Sequence, residues 1–266
     1  MKKAIVTGAS KGLGKAIAHA LAGKGYDILL VARSGDLLKE AAENIRNNYP
    51  VNTFTLPLDL SDPESANMIA SWCKQNNFQA SVLVNNAGYA CWGMFEALPL
   101  DDQRAMLQVN VGTLLSLTHL LIPDMKSHPQ AYILNVSSTS AFQPLPTMAV
   151  YAASKVFVRS FSKSLRYELR NTTISVTCLT PGPIDTDLIN RAGMQVMKPT
   201  AKKFEMRPED VAKAAVKGMF NKKAEVIPGF TNALSGKLSN LIPDKWLIKI
   251  AAGIYEKFLP AEKKND

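Results

Sequence analysis

The sequence predicts an α/β protein, a single doubly wound parallel sheet with helices on both faces. Three observations point there. Short β-branched runs alternate with longer amphipathic stretches from Lys3 to Leu179, the pattern of strands joined by crossover helices. A glycine-rich turn, TGASKGLG at residues 7–14, links the first run to the first amphipathic stretch. The chain has 266 residues, 47% of them hydrophobic, enough for one large core, and no linker, low-complexity tract or repeat sets off a second domain.

The elements follow in order. KAIVT precedes a helix from Gly12 to Ala22, DILLVA a helix through Leu37 to Asn47, and NTFTLPL a helix from Pro63 to Gln75. SVLVNN then leads to a long helix around Asp101 to Leu121, AYILNVS to the helix containing Tyr151 to Leu169, and TISVTCL ends the regular alternation. Beyond Pro181 periodicity is weak until a helix from Pro208 to Met219 and a last strand EVIPG. The domain is expected over residues 1–236, with a substrate segment at about 187–205, followed by a basic amphipathic extension at 237–266.

Composition narrows the function. The apolar run after MKK is too short for a signal peptide, and no stretch reaches the ~18 uninterrupted apolar residues of a membrane span, so a cytoplasmic protein is expected. Cys73, Cys91 and Cys178 are odd in number and far apart, which suits reduced thiols rather than disulfides or a metal site. Residues 1–190 carry 16 Lys/Arg against 14 Asp/Glu, and residues 191–266 carry 15 against 8. The pI near 9.4 is therefore a C-terminal property. No basic run is interleaved with aromatic residues, which argues against nucleic acid as a partner.

The glycine turn, with Gly8, Ser10, Lys11, Gly12, Leu13 and Gly14, lies between strand and helix. There glycine permits a tight turn and close approach of backbone N–H groups to a phosphate. The second strand ends in Ala32 and Arg33 with no acid to accept from a ribose 2′-hydroxyl. Arg33, with Lys11 nearby, suits a 2′-phosphate and hence NADP(H); both also suit an ordinary solvated surface. In VYAASK, Tyr151 and Lys155 stand four apart on one helix face. An ammonium beside a phenol favours the phenolate, so Tyr151 is expected to have a lowered pKa and to exchange a proton near neutral pH. Ser138, just past its strand, can hydrogen-bond a substrate oxygen or cap a turn.

Together these residues make the chain similar to the compact branch of the short-chain dehydrogenases/reductases, from about Lys3 to Thr186 and more weakly to Pro228. The ordered set is TGASKGLG, Asp59 in LPLDLSD, NNAG at 85–88, Asn110 in LQVNVGT, Ser138 in NVSSTS, YAASK, and PGPIDT at 181–186. The resemblance implies Tyr151 as general acid/base, Ser138 orienting the substrate oxygen, Lys155 on the nicotinamide ribose and Asn110 supporting a water path to it. It further implies Asp59 and Leu60 beside the adenine, Asn86, Ala87 and Gly88 along ribose and diphosphate, and Pro181, Gly182, Ile184 and Thr186 at the nicotinamide. The glycine spacing and YAASK fit neither the extended sugar-nucleotide relatives nor enoyl reductases. A non-catalytic dinucleotide sensor or scaffold is the alternative, but such proteins often lack the tyrosine or lysine that stand here.

The resemblance also implies a dimer or tetramer joined through the helix before the fifth strand and the tyrosine-bearing helix. Cys91, Trp92, Phe142, Met148, Met194 and Met197 suit a lipophilic substrate pocket, or equally core or lid packing, and the basic C-terminal third suits an acidic carrier or a phosphorylated thioester, which would make a 3-oxoacyl group a candidate substrate. In residues 243–259, Leu247, Ile250, Ala251, Ile254 and Phe258 recur at helical spacing. That stripe suits packing on the protein itself or a partner, and its lysines with Trp246 suit peripheral contact with an anionic membrane.

Overall fold

A computed structural model describes residues 2–185, 193–197, 202, 205–239 and 242–259, with the side chains of residues 197, 235 and 237 left aside. Its strands are β1 (Lys3–Thr7), β2 (Asp27–Ala32), β3 (Thr53–Pro57), β4 (Val82–Asn85), β5 (Ala131–Val136), β6 (Ile174–Leu179) and β7 (Glu225–Val226). They form one sheet in the order β3-β2-β1-β4-β5-β6-β7, parallel throughout. The expected doubly wound α/β sheet is present.

The helices are α1 (Gly12–Ala22), α2 (Gly35–Asn48), α3 (Ser65–Gln75), α4 (Leu100–Leu107), α5 (Thr113–Lys126), α6 (Ala149–Glu168), α7 (Pro208–Phe220), α8 (Phe230–Ser239) and α9 (Asp244–Tyr255). Alternate side chains of each central strand enter opposite layers, as a two-residue period requires. Ala4, Val6, Val82 and Val84 pack with Leu13, Ile17 and Val211 on one face. Ile5, Leu83 and Ile133 pack with Ile69, Leu117 and Leu165 on the other. A third cluster, with Trp92, Met106, Met148, Tyr151 and Ala251, sits beside the carboxyl edge of the sheet.

Several boundaries shift for local reasons. The third helix starts at Ser65, not Pro63, because Asp62 closes a turn first: its carboxylate accepts from Glu64 N at 2.9 Å and its carbonyl from Ser65 N at 3.0 Å. The last strand shrinks to Glu225–Val226, since Pro228 has no N–H for the ladder. α8 runs across the expected boundary between residues 236 and 237. α4 and α5 join through a π-helical turn at Gln108–Gly112 into a 27-residue helix, Leu100–Lys126. By length and composition that helix could cross a membrane, yet Leu117, Leu121 and Met125 are core residues. Between the layers, Asn85 Nδ2 donates to Asn135 Oδ1 at 2.9 Å and Thr118 Oγ1 at 3.0 Å, and Asn135 Nδ2 to Ser162 Oγ at 3.0 Å. These bonds satisfy buried amides that would otherwise cost stability.

Candidate active site

A cavity of about 810 Å³ crosses the carboxyl edge of the sheet at β1 and β4, where the strand order reverses, the usual ligand position in such sheets. Arg33, Asp59 and Leu60 line one end, and Gly8, Ser10, Lys11, Gly12, Leu13, Gly14, Asn86, Ala87 and Gly88 its middle. Ser138, Tyr151, Lys155, Pro181, Gly182 and Ile184 line the other end. Asn110 stands behind that wall, and Thr186 lies outside the described residues.

The glycine turn is shaped by its backbone. Gly8 and Gly12 have φ of 67° and 56°, the region that favours glycine. A Cβ on Gly14 would lie 2.2 Å from the Gly8 carbonyl oxygen, so only glycine lets helix and turn approach so closely. Thr7 fastens this turn to the NNAG segment: its Oγ1 accepts from Asn86 N at 3.0 Å and Ala87 N at 3.1 Å. Asn86 Nδ2 donates back to Thr7 O at 2.9 Å, so its amide braces the turn while the residue walls the cavity. No side chain caps the start of α1, which leaves first-turn N–H groups for an anion. A long groove with a glycine turn and helix start at its centre fits a dinucleotide. Arg33 Nη1 stands 3.8 Å from the Asp59 carboxylate, a weak exposed pair.

At the opposite end Ser138 precedes a short 3₁₀ turn, Thr139–Phe142, and its Oγ accepts from Ser140 N at 3.1 Å. Tyr151, in the first turn of α6, is buried. Lys155 Nζ lies 5.8 Å from the Tyr151 ring centroid and donates to Val136 O at 3.1 Å. A Cβ on Gly88 would sit 3.1 Å from Lys155 Nζ, so glycine leaves that ammonium room. Asn110, on the π turn, accepts from Tyr89 N at 3.0 Å and donates to Tyr89 O at 3.0 Å and Ser154 Oγ at 3.1 Å. It thereby ties the strand exit to α6 between Tyr151 and Lys155.

The protonation of the pair differs from the sequence expectation. Burial raises the Tyr151 pKa, only partly offset by the adjacent Ser138 and Ser140 hydroxyls, which favour the phenolate. Burial also lowers Lys155 to about 8, because a low-dielectric site disfavours the ammonium. Desolvation is the largest cause at both residues, and it favours the neutral phenol at Tyr151.

Behind the wall formed by Pro181 and Gly182, Glu225 accepts from Arg159 Nε at 2.6 Å and Nη2 at 3.1 Å, and from Thr180 Oγ1 at 2.8 Å. Lys163 Nζ adds an ion pair at 2.8 Å. Burial alone would raise the Glu225 pKa, but these donors overcome it and hold the carboxyl at about 2. The cluster anchors Thr180, immediately before Pro181. Arg159 also lies over the Phe142 ring at 4.8 Å.

Of the expected pocket residues, Phe142, Met148 and Met194 line the cavity. Trp92 is instead wholly buried in the core, Cys91 lines a separate smaller cavity, and the Met197 side chain lies outside the described residues. Sequence reasoning missed Ser140, Tyr255 and Glu225. Ser140 Oγ is buried without a partner at full hydrogen-bond geometry among the described residues, yet it lies beside Tyr151; the repeated hydroxyls of NVSSTS were its only signal. Tyr255 reaches the cavity from α9, and Glu225, on the far edge strand, reaches Thr180 behind the cavity wall, contacts that no local pattern announces.

Fold and site thus define a dinucleotide-binding oxidoreductase, and the chain belongs to the short-chain dehydrogenase/reductase family: the short chain dehydrogenase family profile matches residues 2–189. Among its relatives is a very-long-chain 3-oxoacyl-CoA reductase of Mus musculus, 30% identical over 98% of this chain and 83% of the relative. A short-chain dehydrogenase from Sphingobium yanoikuyae in complex with NADPH superposes with a TM-score of 0.80 at 27% identity, covering 91% of this chain and 94% of its own. L-sorbose reductase from Gluconobacter frateurii, complexed with NADPH and L-sorbose, has a TM-score of 0.76 at 26% identity, covering 85% and 94%.

Proposed function

We propose that the protein reduces the carbonyl of a lipophilic substrate, foremost a 3-oxoacyl thioester, with NADPH. The observation that carries this reading is the neutral, buried Tyr151 phenol beside Ser138, one helical turn from Lys155, at the inner end of a dinucleotide-length groove. Bound reduced nicotinamide supplies the hydride to the carbonyl carbon. Ser138 orients the carbonyl oxygen, and the Tyr151 hydroxyl gives it the proton that completes the alcohol. Lys155 then stabilises the phenolate until solvent returns the proton, and Asn110 holds Lys155 and Tyr151 in register through Ser154. Pro181, Gly182, Ile184 and Thr186 hold the nicotinamide end, and Asp59 and Leu60 the adenine end.

The cofactor preference rests on Arg33, whose distant Asp59 partner a 2′-phosphate would replace as the stronger ligand. The substrate class rests on Leu145, Met148, Met194 and Tyr255 around the inner end and on the 3-oxoacyl-CoA reductase relatives. The exposed Leu107, Leu115 and Leu120 of α4 and α5, with Val156, Phe157 and Tyr167 of α6, suit the homo-oligomer contact. Cys73, pushed up to about 12 by burial, and buried Cys178 suit a reducing compartment such as the cytoplasm.

The test follows nicotinamide absorbance with NADPH and NADH in parallel, against ketones, aldehydes and 3-oxoacyl thioesters of increasing chain length. NADPH with a long-chain thioester is expected to give the highest kcat/KM. Tyr151→Phe is expected to cut turnover by roughly 10²–10⁴-fold with NADPH affinity retained. Undiminished turnover in that variant removes Tyr151 from its role, and no NADPH oxidation with any carbonyl supports a sensor instead.

A further inference from the structure

The C-terminal helices carry their apolar residues on the wrong side for water. α8 turns Asn232 and Gly236 inward: a Cβ on Gly182 would lie 2.5 Å from Asn232 Nδ2, and a Cβ on Gly236 2.4 Å from the Phe142 ring. Ser239, on the same side, is buried and lines the cavity. Phe230, Leu234 and Leu238, four apart, occupy the opposite side and are exposed, Phe230 at 82%. The helix therefore buries its small and polar residues and presents its large apolar ones outward, the reverse of a helix facing water.

α9 repeats the feature. Leu247 and Ala251 are buried against the body of the protein. Trp246, Ile250 and Ile254, again four apart, form a second stripe that remains exposed, Trp246 at 61%. Lys245 and Lys249 are exposed and at 100° per residue fall on the sector adjoining that stripe. Ile242, between the helices, is exposed as well.

We infer that the outer faces of α8 and α9 dock the protein on an anionic lipid bilayer, with the mouth of the active-site cavity held at the lipid surface. Charge selects this occupant. An aromatic and aliphatic stripe edged by lysines matches the apolar and anionic layers of such a surface, and residues 191–266 carry 15 Lys/Arg against 8 Asp/Glu. A second copy seated symmetrically on the same face would instead bring both sets of lysines to one seam. The inner faces of the same helices supply Ser239 and Tyr255 to the cavity wall, so a lipid-dissolved chain would have a short path to Tyr151. That entry route rests on the lipophilic-substrate reading, whereas docking itself does not.

The experiment is vesicle cosedimentation of the full chain without substrate, using phosphatidylcholine vesicles with and without phosphatidylglycerol. The protein is expected to sediment with the phosphatidylglycerol vesicles and to be released by high salt. A Trp246→Ser/Ile250→Ser/Ile254→Ser variant and a Lys245→Glu/Lys249→Glu variant are each expected to lose at least about tenfold in partition. Both should retain the wild-type melting temperature and turnover of a water-soluble carbonyl. Trp246 fluorescence should be quenched by brominated lipid, while fully buried Trp92 is not. Wild-type protein that stays in the supernatant overturns the inference, as does binding that survives both variants. An apolar variant that changes the sedimentation coefficient of the lipid-free protein assigns the stripe to a second copy and overturns it too.

Discussion

Replacing Glu225 by glutamine should expose how far the wall of the active site depends on a carboxylate at the edge strand. Glu225→Gln keeps the shape but removes the charge that Arg159, Lys163 and Thr180 address. A carboxyl lowered from 4.5 to about 2, at ~1.4 kcal/mol per pH unit, caps the contribution near ~3 kcal/mol. The Glu225 side chain is 16% exposed and its partners Arg159 and Lys163 are 25% and 42% exposed, so screening brings the expected loss at pH 7 to roughly 2 kcal/mol. The sign follows from the lowered carboxyl: the stabilisation is complete above about pH 4.5 and disappears as the pH falls towards 2. Urea unfolding of wild type and variant should show a gap of that size at pH 7, shrinking to less than half by about pH 3. The KM for NADPH should rise in parallel, because an uncharged amide accepts more weakly from Arg159, Lys163 and Thr180 next to Pro181. A gap of constant size between pH 7 and 3 would refute the electrostatic argument, and so would the absence of any gap at pH 7.

Three further expectations test other parts of the site. Gly14→Ala places a methyl 2.2 Å from the Gly8 carbonyl oxygen; it should cost about 2–3 kcal/mol in a melting experiment and abolish cofactor-induced stabilisation. Because Lys155 is charged only below about pH 8, kcat for reduction should be level below that pH and fall by up to about tenfold per unit above it; a flat profile to pH 10 speaks against a charged lysine in the step. Arg33→Ala should raise the KM for NADPH at least about tenfold and leave that for NADH unchanged, which paired titrations would reveal.

The order of elements and most of the cavity were legible in the chain because both are written locally. Strand runs with helices between them specify parallel crossovers, and a glycine turn must follow β1 whatever else packs nearby. Tyr151 and Lys155 share a helix, so their proximity needs no tertiary information. Their proton affinities do: four-residue spacing suggested a phenol acidified by its neighbour, but enclosure by the sheet edge and α9 raises one pKa and lowers the other. Trp92 and Cys91 likewise had the right chemistry for a substrate pocket, and only packing sends Trp92 into the core.

The sequence by itself determined the α/β class, the dinucleotide turn and the placing of Tyr151 and Lys155 on one helix, since each depends on side chains within a few positions of one another. Tertiary structure alone decided that Glu225 braces Thr180 across the edge of the sheet. It also decided that Ser140 and Tyr255 close around Tyr151, and that α8 turns asparagine and glycine inward and phenylalanine and leucine outward. Those features arise from contacts between residues far apart in the chain, where burial and long-range packing, not local periodicity, set the energy.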